Sequence, residues 1–349
     1  MANDVSTDQD VPEATRPTGG MRPHGGLDLR LLASLMIVSG MVAGLTVPHL
    51  AEMIGPLVMP ALFALAVASL TPARGELHHF IGRIDVGVAG GVAWTQLALP
   101  MVVIVVCTAI GLPGDIIALF LVSATASIVF AAPAIAQIIG IRRSGVTHMV
   151  IATTLFMPVS LLLFLSPFLP LGSGDVLLTY AERVAIFLAA PLAVVWLIGR
   201  ATREMSDGRK RRRAVTVDHR IDHAAQWISV AALTVFAIGI FDGVAETFTL
   251  HPARIGAMLA GIVLLSVLMY VTTRLALPAS GADRGELLGM FAVQRNVGLS
   301  YAVVGHMFGP ELAVYVALCQ IPTLCLPLLL RIVSPAAARA EPARYAPIV

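Results

Sequence analysis

Charge is what this chain has least of. Charged residues make up 13% of its 349, about half the share of a soluble domain, while apolar residues make up 57% and the mean hydropathy is +0.86. That balance excludes a water-soluble globular protein and points to an integral membrane protein in contact with a lipid bilayer. Lysine occurs once, at Lys210, so nearly all positive charge is arginine, a composition expected of a bacterial protein from a GC-rich genome. Cysteine is almost as scarce: Cys107, Cys319 and Cys325 each lie in an apolar stretch. Their odd number and spacing exclude a disulfide framework or a metal cluster, and they read as packing residues. There is no glycine-rich phosphate loop, nucleophile elbow or catalytic pair, so neither an enzyme nor a nucleic-acid partner is expected. The start of the chain lacks the basic segment and short apolar core of a secretory signal. Residues 1–27 read as a disordered cytoplasmic tail and 334–349 as a second cytoplasmic tail.

What the chain has instead is long apolar runs. A span needs about 20 residues to cross roughly 30 Å of hydrocarbon. Such runs fall near 28–48, 53–71, 86–111, 115–139, 147–169, 180–199, 224–247, 254–276, 286–308 and 311–333. With both ends inside, 20 of the 23 basic residues face the cytoplasm, only Arg183 and Arg254 lie outside, and Arg295 lies within a span. This is the positive-inside bias, and it predicts a multi-pass protein of the bacterial cytoplasmic (inner) membrane. The basic loop 200–222, which contains "GRKRRR", reads as a topology anchor, or as an anionic-lipid patch.

The spans divide into five at 28–172 and five at 173–333, and an odd number per half turns the second copy upside down. Two registers support the duplication. Gly140 follows Ser127 at the distance at which Gly309 follows Asn296, and Pro158 follows Thr147 as Pro322 follows Glu311. The polar residues gather in the fourth and ninth spans. The fourth carries Ser123, Thr125 and Ser127 ahead of Pro133, a helix breaker; the ninth carries "QRNVGL", with Gln294, Arg295 and Asn296. Broken helix at membrane depth is tolerated only around a protein-enclosed, wet cavity, so two breaks predict one mid-membrane binding site. The same hydroxyls could instead serve helix packing, and Arg295 could snorkel to an interface.

"SATAS" with its proline, paired with "QRNVGL" across ten spans, resembles the bile acid:sodium symporter family, as a divergent bacterial member. The resemblance covers 28–333 and implies an all-α membrane protein of ten transmembrane helices in two inverted five-helix repeats. The fourth and ninth helices would be broken and crossing, with spans three to five and eight to ten forming a core and spans one, two, six and seven a panel. It implies secondary transport of a small organic anion, often with sodium. By position, Asn296 matches the family's asparagine, and Ser127 a serine among cation ligands. Thr153 and Thr154 fall where further hydroxyl ligands are expected, and Gln96 resembles a glutamine of the third span. Gln320, beside Pro322, could line the site or pack.

The departures from that pattern are chemical. Phe291 stands where sodium-dependent members resemble one another in a glutamate, Arg295 where they have a glutamine, and Ile128 where they have an asparagine. A sodium site wants five or six oxygens with negative charge nearby, and a guanidinium in the same pocket repels the cation. Arg295 is therefore expected to replace the ion near Ser127 and Asn296, holding the crossover together or binding the substrate's carboxylate. His306 could couple protons but reads first as a solvated loop-end residue. Competing readings are an arsenite- or auxin-type efflux permease, against which the lack of a thiol in spans four, five and nine counts, and a non-transporting membrane sensor or scaffold.

Overall fold

The computed structural model describes residues 29–77, 86–130, 132, 143–169, 174–206, 211–244, 247, 250–276 and 282–333. The expectations for the two tails, Pro133, Gly140, Arg209 and Lys210 lie outside these residues, as do those for the side chains of Arg211 to Arg213, Arg284, Glu286 and Cys325.

Every regular element among the described residues is helical. In chain order they are α1 (Leu29–Thr46), α2 (Pro48–Ile54), α3 (Val58–Leu70), α4 (Arg74–Leu77), α5 (Val86–Ala93), α6 (Leu99–Ala109), α7 (Gly114–Thr125) and α8 (Arg143–Leu165). They continue with α9 (Gly174–Val184), α10 (Ala190–Ser206), α11 (Arg211–Gly239), α12 (Pro252–Ala276), α13 (Ala282–Val293), α14 (Val297–Val304) and α15 (Pro310–Val333). Short 3-10 turns join α2 to α3 and α3 to α4. Widened π turns, Trp94–Ala98 and Ala185–Ala189, join α5 to α6 and α9 to α10.

Among the described residues, six continuous helical stretches are long and apolar enough to cross a membrane: Pro48–Ala73, Val86–Ala109, Val146–Leu165, Gly174–Glu204, Arg220–Gly239 and Pro252–Ala276. At 1.5 Å per residue, the shortest of these, 20 residues, spans about 30 Å. Helix α11 begins at Arg211, well ahead of the apolar run at 224. Counting apolar residues finds only the apolar part of a helix, and the polar first turns of α11 include Asp218 and Asp222, which Arg74 holds.

The helices pack in two sets. α1 to α4 lie against α10 and α11, α9 leads into α10 through its π turn, and α5 to α8 lie against one another and against α12 to α15. In the first set glycines bring backbones together: a Cβ on Gly44 would lie 2.5 Å from the Ile238 carbonyl oxygen, and one on Gly239 2.5 Å from Val58 Cγ2. Close approach over small residues is how helices associate without a hydrophobic drive. At one end of this set the nearly buried Arg74 guanidinium donates to Asp222 and, at 2.6 Å, to Asp218, both on α11. Burial lowers the basicity of Arg74, but the hydrogen bonds and charges of the two aspartates outweigh it and leave its pKa raised. Between the sets, α14 touches α3 and α9, and α4 touches α8.

Candidate functional site: a crossover of two interrupted helices

Helix α7 stops at Thr125, and Ala126 turns to extended backbone at φ −56°, ψ 149°. Helix α13 stops at Val293, and α14 starts at Val297 behind Asn296, whose Oδ1 accepts the Leu299 N–H at 3.2 Å. An asparagine in this place satisfies one of the donors a helix start leaves open. The two breaks meet in an isolated antiparallel bridge between Ile128 and Arg295. Asn296 N–H donates to the Ser127 carbonyl at 2.8 Å, and Val129 N–H to the Gln294 carbonyl at 3.0 Å. Ser127 and Asn296, matched in the repeat register, are thus hydrogen-bonded to each other. The first break falls ahead of Pro133. It coincides with the exchange of main-chain bonds between the two segments, so the peptide groups freed by one broken helix are satisfied by the other.

Arg295 lies at the centre and is 2% exposed. Its Nε donates to the Ala292 carbonyl at 2.8 Å, Nη1 to the Ala126 carbonyl at 2.9 Å and Nη2 to the Thr95 carbonyl at 3.2 Å. All three acceptors are backbone oxygens, and no described carboxylate pairs with the guanidinium. The charge is met by helix ends instead. α7 and α13 both point their C-termini at it, and each end is equivalent to roughly half a negative charge, so together they offset about one cation. Snorkelling does not describe this residue, because its donors turn inward onto fixed carbonyls.

The π turn explains why Thr95 is available. A π turn inserts one extra residue and leaves carbonyls outside the regular ladder, and such turns recur at functional sites. Thr95 O meets Arg295, and Gln96 O accepts Ser160 Oγ at 2.6 Å. The Gln96 side chain donates from Nε2 to the Ala126 carbonyl at 3.2 Å, so Ala126 O receives both Gln96 and Arg295. Thr153 Oγ1 accepts the Ile128 N–H at 3.3 Å and supports the break from α8.

Gln96, Ser127, Thr153, Gln294, Arg295 and Asn296 are therefore brought to one buried place. Three of their polar atoms, Gln96 Oε1, Ser127 Oγ and Gln294 Oε1, are buried without a hydrogen-bond partner. The other candidates spend their groups elsewhere. Thr125 and Thr154 donate to Leu121 O and Val150 O one turn back, and Gln320 to Val316 O. Ser123 bonds Tyr315 Oη at 2.7 Å, on α15. Sequence reasoning missed Thr95, Ala126 and Ala292, which act through main-chain oxygens and leave no side-chain signal. It also missed Ser160, whose only sign is a hydroxyl near Pro158.

His306 differs from the solvated residue expected: both ring nitrogens are buried and without a partner. Glu311 accepts Arg254, and Asp115 and Asp175 open the first turns of α7 and α9.

The class these features define is a protein whose described residues are helical, with six helices long and apolar enough to cross a membrane and two interrupted helices whose breaks meet in the protein interior. The chain matches no protein-family model and no curated protein.

Proposed function

We propose that this is a secondary carrier of a small organic anion that works by alternating access without sodium. Its described helices would be the larger part of a ten-span inverted repeat related to the bile acid:sodium symporters, set in a bacterial cytoplasmic membrane. The observation that carries this reading is Arg295, a fully buried cation bonded only to backbone carbonyls where two broken helices meet.

Carbonyl oxygens at helix C-termini are the ligands an alkali cation takes, and here a guanidinium already holds them. The residues present do not suit sodium: Phe291 brings no charge, and a second cation beside Arg295 is repelled. The same cation, the unpartnered Ser127 hydroxyl and the α14 N-terminus at Asn296 suit an anion. The two helix sets would move against each other about this point.

Uptake of labelled carboxylates by the purified protein in liposomes tests it. Uptake that is equal with and without an inward sodium gradient is expected, with loss on Arg295→Gln. Sodium-driven uptake overturns the substitution of ion by arginine, and no uptake of any carboxylate overturns the carrier.

A further inference from the structure

The crossover uses one end of α14; the other end carries polar groups that it does not use. Arg183, half-buried in the last turn of α9, donates from Nη1 to the Ala302 carbonyl at 3.0 Å. A helical carbonyl points along the axis toward the residue four places on, so the guanidinium is held level with His306. Its charge acts on both His306 and Tyr301.

His306 lies in the 3-10 turn Gly305–Met307, with both ring nitrogens shut from solvent and unpartnered. The backbone of Val303 and Val176 lies near the ring without full hydrogen-bond geometry. The Tyr301 ring packs on the same turn, 3.1 Å from where a Cβ of Gly305 would be. Its hydroxyl makes no hydrogen bond among the described residues, and Arg183 makes no ion pair there. Most of the guanidinium's donors therefore remain uncommitted.

The charged groups around this cluster are few. Asp242, in the turn after α11, acts on Tyr301. Glu311 at the start of α15 is taken by Arg254. On α9 itself, Asp175 and Glu182 are exposed. A buried polar group left unpaired is costly, and His306 carries two such nitrogens beside an arginine without a counter-ion. A carboxylate supplies what all three side chains lack. It offers acceptors in the plane of the guanidinium fork, an acceptor for the phenol, and a negative charge for the imidazole.

We infer that Arg183, Tyr301 and His306 form a carboxylate-binding site at the outer end of α14, and that the anion enters it together with a proton that His306 takes from solvent. The inference rests on the reading of the chain as a carrier of organic anions. Without the anion, protonation would set a second cation beside Arg183; with it, the imidazolium gains a charged partner. The proton moves from bulk water to a ring nitrogen, and no other covalent bond changes. In a carrier without sodium, this assigns the coupling ion.

Calorimetry of the full chain in detergent, with pyruvate and benzoate titrated in buffers of different ionisation enthalpy, reads both parts. Uptake of about one proton per anion is expected, because a single imidazole changes state. His306→Asn should bind with no proton uptake. Arg183→Gln should weaken binding by about tenfold, a loss of about 1.4 kcal/mol, and Arg183→Lys should restore part of it. Thermal unfolding shows that each variant is folded. Proton uptake that persists in His306→Asn, or full affinity in Arg183→Gln, overturns the outer site. If Arg295→Gln alone removes binding while both outer variants bind with wild-type affinity and stoichiometry, the carrier reading stands and this inference falls. If the wild type binds neither anion, both fall.

Discussion

Arg295 costs the fold a good deal before it gives anything back. Taking a guanidinium out of water costs several kcal/mol even after relaxation. Three charge-assisted hydrogen bonds at about 1.5–3 kcal/mol each return roughly 5–9 kcal/mol, and two helix C-termini add to that. The pairing closes only while all three carbonyls are engaged. Arg295→Met keeps the bulk but leaves the Ala292, Ala126 and Thr95 oxygens open, apart from the bond Gln96 keeps to Ala126. Several kcal/mol of destabilisation is expected, read as a fall in the thermal unfolding temperature in detergent. Arg295→Lys keeps the charge but not the fork, so it should fall between. An unchanged unfolding temperature in Arg295→Met would remove Arg295 from the structure's support and leave it only a ligand role.

This residue also marks the limit of what the sequence could convey. An arginine in an apolar run is visible as an anomaly, and its neighbours Gln294 and Asn296 with it. That it would lean on Ala126 and Ala292 is not visible, since alanine carries no polar side chain. Pro133 was the obvious breaker for the fourth span, yet α7 ends earlier, at Thr125, where main-chain bonds to a segment far away in sequence replace those of the helix. Non-local competition of this kind has no local signature. Hydroxyls are ambiguous for the opposite reason. Ser127 faces the crossover unpartnered while Thr125, two residues earlier, is spent on Leu121, and alternation along the sequence cannot separate the two.

Among the elements, six of the ten apolar runs coincide with helices long and apolar enough to cross a membrane, and the runs place the helix ends poorly. The start of α11 shows why. It lies beyond the apolar run and is tied down by Arg74 rather than by lipid. Because Asp218 and Asp222 share one guanidinium and are each about half exposed, at 46% and 47%, either alone should keep most of the bond. Asp218→Asn and Asp222→Asn should each cost only a few tenths of a kcal/mol. The double variant, which leaves Arg74 nearly buried without a counter-charge and with only the Thr71 carbonyl, at 2.9 Å, as a fixed acceptor, should cost about 1–3 kcal/mol. Unfolding in detergent would show the excess of the double variant over the sum of the singles; strict additivity would mean that the aspartates do not act as one clasp. The π turn at Trp94–Ala98 is hidden in the same way. Apolar periodicity is continuous through it, and only the structure reveals that Thr95 O and Gln96 O are free to serve partners in other helices.

For the whole molecule, the distribution of arginine makes an orientation testable. Asp115 and Asp175 are expected on the outer face and Glu204 on the inner one, and all three are exposed. With cysteine placed at each in turn, a membrane-impermeant thiol reagent should label positions 115 and 175 in intact cells and position 204 only after permeabilisation. Cys107 and Cys319, both buried, should stay silent in either case. The reverse pattern would invert the protein and put His306 on the cytoplasmic side.

The company that Arg295 keeps also bears on descent. Its three partners contribute only main-chain oxygen, which every amino acid possesses. Positions 95, 126 and 292 are thus free to drift in identity, within the limits set by packing, without loosening the contact. The whole burden of inheritance falls on position 295. Among sequences that share this crossover, an invariant arginine should stand opposite positions that vary, and a search for residues that change together with it should come back empty.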